Sequence, residues 1–137
     1  MKKPSDLAKV LVKKARGDLR AMAMTQKGLV WDPCCFHAQQ AAEKCLKAYL
    51  TMAGVLFPFT HNIKELVEIA ARIDARFAKF LKTGRKLSPY AVQVRYVAAV
   101  SPGKAQATAA VKIATAICQF IFDLLPKSVV GTKGRKR

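Results

Sequence analysis

Acidic residues are scarce in this sequence, whose 137 residues contain 8 Asp and Glu against 25 Lys and Arg, for a formal net charge of +17. A surface with so little negative charge attracts polyanions, and nucleic acid is the usual one. Hydrophobic residues make up 52% of the chain, which excludes a disordered basic tail. The composition therefore favours a folded domain with a nucleic-acid or nucleotide partner, but net charge identifies no site.

Long uninterrupted apolar runs are also missing. Every run is broken by charge, Gly or Pro before it reaches the roughly 20 residues that a membrane helix needs, so we expect no membrane association. The N-terminus MKKPSD is followed by charged residues at positions 6, 9, 13 and 14, where a signal peptide needs its apolar segment. We therefore expect a cytoplasmic protein.

The motifs of common metal, nucleophile and phosphate sites are absent from the sequence. Cys34, Cys35 and His37 are close together, but no second Cys or His pair completes the roughly four ligands of a structural zinc site. No Cys/His catalytic signature surrounds any cysteine. Neither GxxxxGK[ST] nor GxGxxG occurs. We therefore predict no cofactor, no metal site and no catalytic residue from motifs alone.

What the sequence does contain is helical periodicity. No segment alternates with period two between hairpin turns, so no sheet is expected. The last predicted helix is apolar on most sides, which favours a second copy of the chain or another protein against it; we predict a homodimer. A basic loop, Thr83 to Lys86, is predicted before the fifth helix. The six predicted helices are a first of roughly 18 residues capped by Ser5-Asp6, a second from Asp32 to Gly54, a third capped by Thr60, a short fourth capped by Asp74, a short fifth from Ser88-Pro89 to about Tyr96, and a last from about Lys104 to Leu125.

We accordingly predict an all-α fold: an up-and-down four-helix bundle with one or two extra short helices before the last long helix. Residues 1–126 are expected to form a single domain, and residues 127–137 a basic, disordered tail. Pro126 ends the last helix in this prediction.

The helix predicted from Asp32 to Gly54 carries polar residues on its apolar side. Glu43 lies seven residues from Phe36 and from Leu50, and residues seven apart return to nearly the same angle on a helix. Gln40 and Lys47 share that face. Such groups are costly on a buried face unless they are paired or bind something. The face is therefore either a scaffold, with Glu43 paired to Lys47 four residues later, or the wall of a binding site.

Two further positions could join such a site. His61 precedes the third helix, where it could serve a helix terminus or stand near an anion held by that terminus. Tyr90, Arg95 and Tyr96 combine a guanidinium fork for phosphate with rings that can stack on a base. Equally, the tyrosines could be core residues and Arg95 the ion-pair partner of Glu43.

Three segments in this order and spacing, FHAQQAAEKCLKAYL, THNIKEL and LSPYAVQVRY, resemble the HEPN domain (higher eukaryotes and prokaryotes nucleotide-binding). The resemblance covers nearly the whole chain. It implies an all-α bundle, usually a homodimer, with a polar site between helices. The residues that it places at the nucleotide- or phosphate-binding site are Gln40, Glu43, Lys44, Lys47, Tyr90, Arg95 and Tyr96. His61 is added to this predicted site because it stands at the start of a helix, where phosphates bind.

Family members of two classes bear on function. Many resemble substrate-binding partners of small nucleotidyltransferases in toxin–antitoxin-like pairs, and others are metal-independent ribonucleases with Arg, four to six residues, then His. Arg95 is followed by YVAAVSPGKA, and no His occurs after His61, so the proton-transfer group of that ribonuclease pair is missing. We therefore predict a non-catalytic nucleotide- or RNA-binding module. The alternatives are an RNA-cleaving toxin that uses Arg95 with a non-standard partner, and a structural basic dimer.

Overall fold

The chain folds as a bundle of helices in the computed structural model, which describes residues 3–91 and 101–131. No strand occurs in those ranges, and several short helices precede the last long one, so the predicted fold class is confirmed. The elements are α1 (Pro4–Lys27), α2 (Trp31–Met52), α3 (Ile63–Ile73), a 3-10 helix (Ala75–Phe80), α4 (Leu81–Gly84), a second 3-10 helix (Arg85–Ala91), α5 (Lys104–Leu124) and α6 (Lys127–Val130).

The second helix, α2, is the centre of the bundle. It packs along α1 and α5 and also contacts α3 and the second 3-10 helix. Eleven of its 22 residues are buried. Four of these are alanines, which let neighbouring helices approach closely without leaving voids. The polar residues among the eleven, Gln39 and Glu43, therefore lie between packed helices and need partners within the protein.

The boundaries of α2 agree with the sequence at its end and differ at its start. Gly54 has a φ of 72°, and the Val55 N–H donates to the Leu50 carbonyl at 3.1 Å, which is the Schellman ending expected of this glycine. The predicted Asp32 cap is wrong. The helix begins at Trp31, and Val30 is its N-cap. The Val30 N–H still donates to the Thr25 carbonyl at the end of α1, at 2.8 Å, so that α2 begins directly after the last hydrogen bond of α1.

Two other predicted caps are displaced. The first helix begins at Pro4 and is 24 residues long, longer than expected. Asp6 lies within its first turn and accepts a hydrogen bond from the Lys3 N–H at 3.2 Å. The third helix is capped by Asn62, whose side chain accepts from the Glu65 N–H at 3.2 Å. Thr60 accepts from the Asn62 N–H at 3.0 Å and so orders the chain just before the helix.

The segment after α3 is helical for longer than predicted. Asp74 caps the first 3-10 helix by accepting from the Arg76 N–H at 3.0 Å, as expected. The predicted basic loop at Thr83 to Lys86 is wrong, because its residues belong to α4 and to the second 3-10 helix, which begins before Ser88. Gly84 is buried there, and a Cβ atom at this position would lie 3.0 Å from Ile63 Cγ2. The second 3-10 helix is described as far as Ala91, and the helix end predicted near Tyr96 lies outside the described residues.

The last long helix, α5, begins after Gly103 as predicted. Its large apolar side chains are buried or half-buried within the chain, and its exposed positions carry small or polar residues such as Ala105, Ala109 and Ala116. The homodimer expected from this helix stays a prediction. Within the described residues, the large apolar side chains that are exposed lie on other elements, among them Leu7 and Leu56.

The expectation that no segment could span a membrane also needs correction. The 21 residues Lys104–Leu124 have a mean hydropathy of 1.5 over their most apolar 18-residue window, which is long and apolar enough for a span by length and composition. A single such helix is weak evidence, because core helices of soluble proteins have the same character.

The segment predicted as a disordered tail starts with structure. Residues Lys127–Val130 form α6, and Val129 and Val130 are buried. The Arg16 side chain of α1 donates from Nη1 to the Val130 carbonyl at 3.2 Å and lies over the Phe122 ring. Disorder is therefore wrong for residues 127–130, whereas residues 132–137 lie outside the described ranges.

Candidate functional site

The carboxylate of Glu43 is the centre of a polar cluster against α2. Its side chain is 8% exposed, and its Oε2 accepts from Lys47 Nζ at 2.8 Å. Gln39 Nε2 donates to Glu43 Oε1 at 2.9 Å. The imidazole of His61, which comes from the connection to α3, places Nδ1 at 3.1 Å from both carboxylate oxygens. The predicted Glu43–Lys47 pair is thus confirmed, and it is joined by two further donors.

These donors determine the charge state of Glu43. Burial alone would raise the pKa of this carboxyl group, but hydrogen bonds from Lys47, Gln39 and His61 oppose that effect and hold the pKa below its ordinary value. Glu43 is therefore a carboxylate at neutral pH. Since a carboxylate can only accept, His61 donates through Nδ1, and its Nε2 atom is left for another partner.

A second cluster lies between α1 and α2, around Asp18. Its side chain is 11% exposed; Oδ1 is 2.9 Å from His37 Nδ1, and Oδ2 accepts from the Lys44 ammonium. The neighbouring Gln40 accepts from the same ammonium at 3.3 Å. Here too a buried carboxylate orients an imidazole and a lysine.

Two glutamines join the clusters into one network. Gln40 Nε2 donates to Gln39 Oε1 at 2.7 Å, and Gln39 Nε2 also reaches the His61 carbonyl at 3.0 Å. Hydrogen bonds therefore run without a break from His37 through Asp18, Lys44, Gln40, Gln39 and Glu43 to Lys47 and His61; we call these eight residues the polar network. Its interior members satisfy one another, which fixes their positions.

The network is open to solvent at the end formed by His61, whose side chain is 55% exposed. Phe59 lies beside it, with the two ring centroids 5.7 Å apart in an edge-to-face arrangement. Lys47 Nζ lies 5.6 Å from the centroid of the same Phe59 ring. This end therefore presents a carboxylate-held imidazole, an ammonium and an exposed aromatic ring together.

The structure brings five of the eight predicted site residues into this network, namely Gln40, Glu43, Lys44, Lys47 and His61. Tyr90 is half-buried and lines a separate concavity of about 280 Å³ against α5, formed with Lys86, Gln106, Ala109, Ala110 and Ile113. Arg95 and Tyr96 lie outside the described residues. Their roles, including the Glu43–Arg95 pair, stay predictions.

Sequence reasoning missed Asp18, His37, Gln39 and Phe59. Asp18 is three residues after Ala15 and four before Met22, both buried. The helical spacing that identified Glu43 on the apolar face of α2 would therefore also have identified Asp18 on the apolar face of α1. Gln39 is four residues before Glu43, a spacing at which side chains meet. For His37 and Phe59 the sequence holds no comparable signal, because their partners are distant in the chain or depend on the loop conformation.

The polar network can bind and position a ligand and can also move a proton. Each histidine is held at Nδ1 by a carboxylate, which leaves Nε2 able to donate or accept. The lysine ammonium groups have donors beyond those used by the carboxylates. In residues 3–91 and 101–131, no group of three or more His, Cys, Asp and Glu side chains could hold a metal ion.

Comparisons with known proteins identify the family and the fold. The model of the HEPN domain matches residues 8–125. The chain is similar to ST0689, an archaeal HEPN homologue, at 23% identity, with a TM-score of 0.70 over 90% of this chain and 98% of that one. It is also similar to TT1696 from Thermus thermophilus at 25% identity, with a TM-score of 0.73 over 86% and 98%. No curated protein sequence matches significantly.

Proposed function

The chain belongs to the HEPN domain family, and from this membership and the polar network we propose that it is a non-catalytic module that binds a nucleotide or an RNA end. The observation that carries the proposal is the open end of the network, where His61 and Lys47 are held in place by a buried Glu43. Cytoplasmic localisation is part of the proposal.

The geometry supports phosphate binding through two kinds of donor. Lys47 uses one donor on Glu43, and an ammonium carries three. His61 can donate from Nε2 as an imidazolium, in which both ring nitrogens are donors. Because both side chains are already ordered by Glu43, binding a phosphate costs little further conformational entropy. The surplus of positive charge on the chain speeds the approach of such a ligand.

Calorimetric titration with ATP and with a short single-stranded RNA tests this site. His61→Ala should weaken binding roughly tenfold or more, because a hydrogen bond to a charged group is lost. Arg72→Ala is the matched control, since it removes an exposed cation at the far end of α3 and should have little effect. Wild-type protein that binds neither ligand, or equal losses in both variants, would refute the proposed site.

The proposal extends to assembly: a homodimer acting with a small nucleotidyltransferase in a toxin–antitoxin-like pair, as the family resemblance implies. Sedimentation at micromolar concentration should then give the mass of two copies. A stable monomer would count against the dimer. Co-expression with the product of an adjacent nucleotidyltransferase gene should yield a complex that survives gel filtration.

One observation favours a second candidate, the RNA-cleaving enzyme. His37 and His61 both have Nδ1 on a carboxylate, the arrangement that prepares the other ring nitrogen for acid–base work. Purified protein would then cleave RNA between pH 6 and 9, and His37→Ala or His61→Ala would abolish cleavage. We expect intact RNA instead. Cleavage that persists in both variants would indicate a contaminating nuclease.

The third candidate is a structural basic dimer that adheres to nucleic acid through its charge. Deletion of residues 132–137, which include the four basic residues of the sequence end KGRKR, would then remove most of the salt-sensitive binding. Under the main proposal this deletion should leave ATP affinity unchanged.

A further inference from the structure

Phe59 has a position that the packing of the protein does not explain. It is 92% exposed, although an aromatic side chain gains most by burial. It belongs to the connection between α2 and α3, residues 53–62, which contains a second exposed large apolar residue, Leu56, at 96%. The two residues differ in their surroundings, and that difference suggests a role for the ring.

The connection holds Phe59 in a defined place. The turn at Gly54 fixes its start, and Pro58 restricts the backbone directly before the ring. Thr60 and Asn62 fix its end through the hydrogen bond at 3.0 Å between Thr60 Oγ1 and the Asn62 N–H. The Phe59 ring is therefore presented by a short connection tied down at both ends.

The polar neighbours of Phe59 are the open-end members of the polar network. Lys47 Nζ is 5.6 Å from the ring centroid and the His61 ring is 5.7 Å away. Leu56, by contrast, lines an apolar groove of about 340 Å³ with Pro4, Leu7, Thr51, Gly54, Val55 and Phe57. Phe59 thus combines an aromatic surface with the two side chains proposed above to bind phosphate, whereas Leu56 does not.

We propose that Phe59 is a stacking platform for a nucleobase whose phosphate is bound by Lys47 and His61. The inference rests on the proposed function and narrows its ligand class: free nucleotides and unpaired RNA ends, whose bases can leave the stack, rather than duplexes or base-free polyphosphates. Stacking on a single ring is tolerant of base identity, because every base has a π-face. The platform therefore favours ligands that carry a base, without distinguishing one base from another.

The test compares ATP with inorganic tripolyphosphate by titration calorimetry. Stacking contributes about 1–3 kcal/mol per base, so Phe59→Ala should weaken ATP binding roughly fivefold or more. Tripolyphosphate affinity should be the same in wild type and variant. Phe59→Trp should restore ATP binding, and Leu56→Ala, the equally exposed control in the same connection, should bind ATP as the wild type does.

The outcomes separate this inference from the proposed function. If the wild type binds ATP and Phe59→Ala binds it equally well, the platform is wrong and the phosphate site stands. If the wild type binds neither ligand, the proposed function fails and the platform with it. If Phe59→Ala changes the sedimenting mass and leaves ATP affinity unchanged, the ring is a protein contact, which also overturns the inference.

Discussion

Replacing Glu43 with glutamine removes the central charge of the polar network and nearly preserves its shape. The ammonium of Lys47, whose side chain is 13% exposed, then has no counter-ion. Breaking a buried pair in this way costs about 3–5 kcal/mol; because His61 and the edge of Lys47 reach water, we expect about 2–3 kcal/mol. For a chain of this length that lowers the melting temperature by roughly 6–12 °C.

Glu68→Gln is the matched control. Glu68 pairs with Lys64 at the same i,i+4 spacing and at 2.7 Å, but both side chains are about 40% exposed, at 43% and 40%. An exposed pair of this kind contributes about 0.3–0.5 kcal/mol. The two glutamine variants therefore compare an i,i+4 ion pair in a buried and in an exposed setting, with the order of acid and base reversed along the helix. Both are measured by thermal denaturation followed by circular dichroism.

The pH dependence adds a second readout. The pKa of Glu43 is lowered by folding, so its contribution to stability is complete above the unfolded value, about 4.3, and is lost as the pH falls through the folded value. The difference in the free energy of unfolding between wild type and Glu43→Gln should therefore become smaller below about pH 4. A gap of less than about 0.5 kcal/mol at neutral pH, as expected for an exposed pair, would refute the reasoning, as would a gap that widens in acid.

Three smaller predictions concern other parts of the bundle, each measured by chemical denaturation. Asp18→Asn should cost about 1–2 kcal/mol, because His37 and Lys44 lose their shared acceptor; an unchanged stability would mean that the cluster contributes nothing. Gly84→Ala should lower the free energy of unfolding by about 1–2 kcal/mol, because the new methyl group would press on Ile63. Gly17→Ala within α1, where a Cβ atom would meet only the end of the Arg20 side chain at 3.9 Å, should raise it by about 0.5–1 kcal/mol. The opposite order of stabilities would contradict the packing. Val129→Ala should cost about 1–2 kcal/mol, and no loss would show that α6 does not pack.

The fold was accessible from the sequence because periodicity is a local property. Apolar spacing predicts α2 and α5, and Gly54 and Gly103 mark an end and a start that the structure confirms. Helix starts were harder to predict from the sequence, because several neighbouring residues can each cap the same helix. Asp32 does not cap α2, because the hydrogen bonds that end α1 reach Val30, directly before the first residue of α2. Thr60 does not cap α3, because Asn62, two residues later, is its N-cap.

The candidate site was accessible only in part. A seven-residue spacing identifies Glu43 as a polar residue on a packed face, and the i,i+4 rule supplies Lys47. The contact of Glu43 with His61 spans 18 positions and that of Asp18 with Lys44 spans 26. Contacts at such separations depend on how helices pack, which helical periodicity does not encode. The family resemblance supplied Lys44 instead, and the place of His61 at the start of a helix supplied His61.

The two histidines of the chain make the most direct test of the central claim, because an NMR spectrum of the imidazole C–H groups contains one set of signals from each. Titration with ATP should shift the His61 signals progressively, since the bound phosphate lies against that ring. The His37 signals should move less. Signals of both rings that stay in place at saturating ATP, or a shift confined to His37, would contradict a phosphate site at the open end of the polar network.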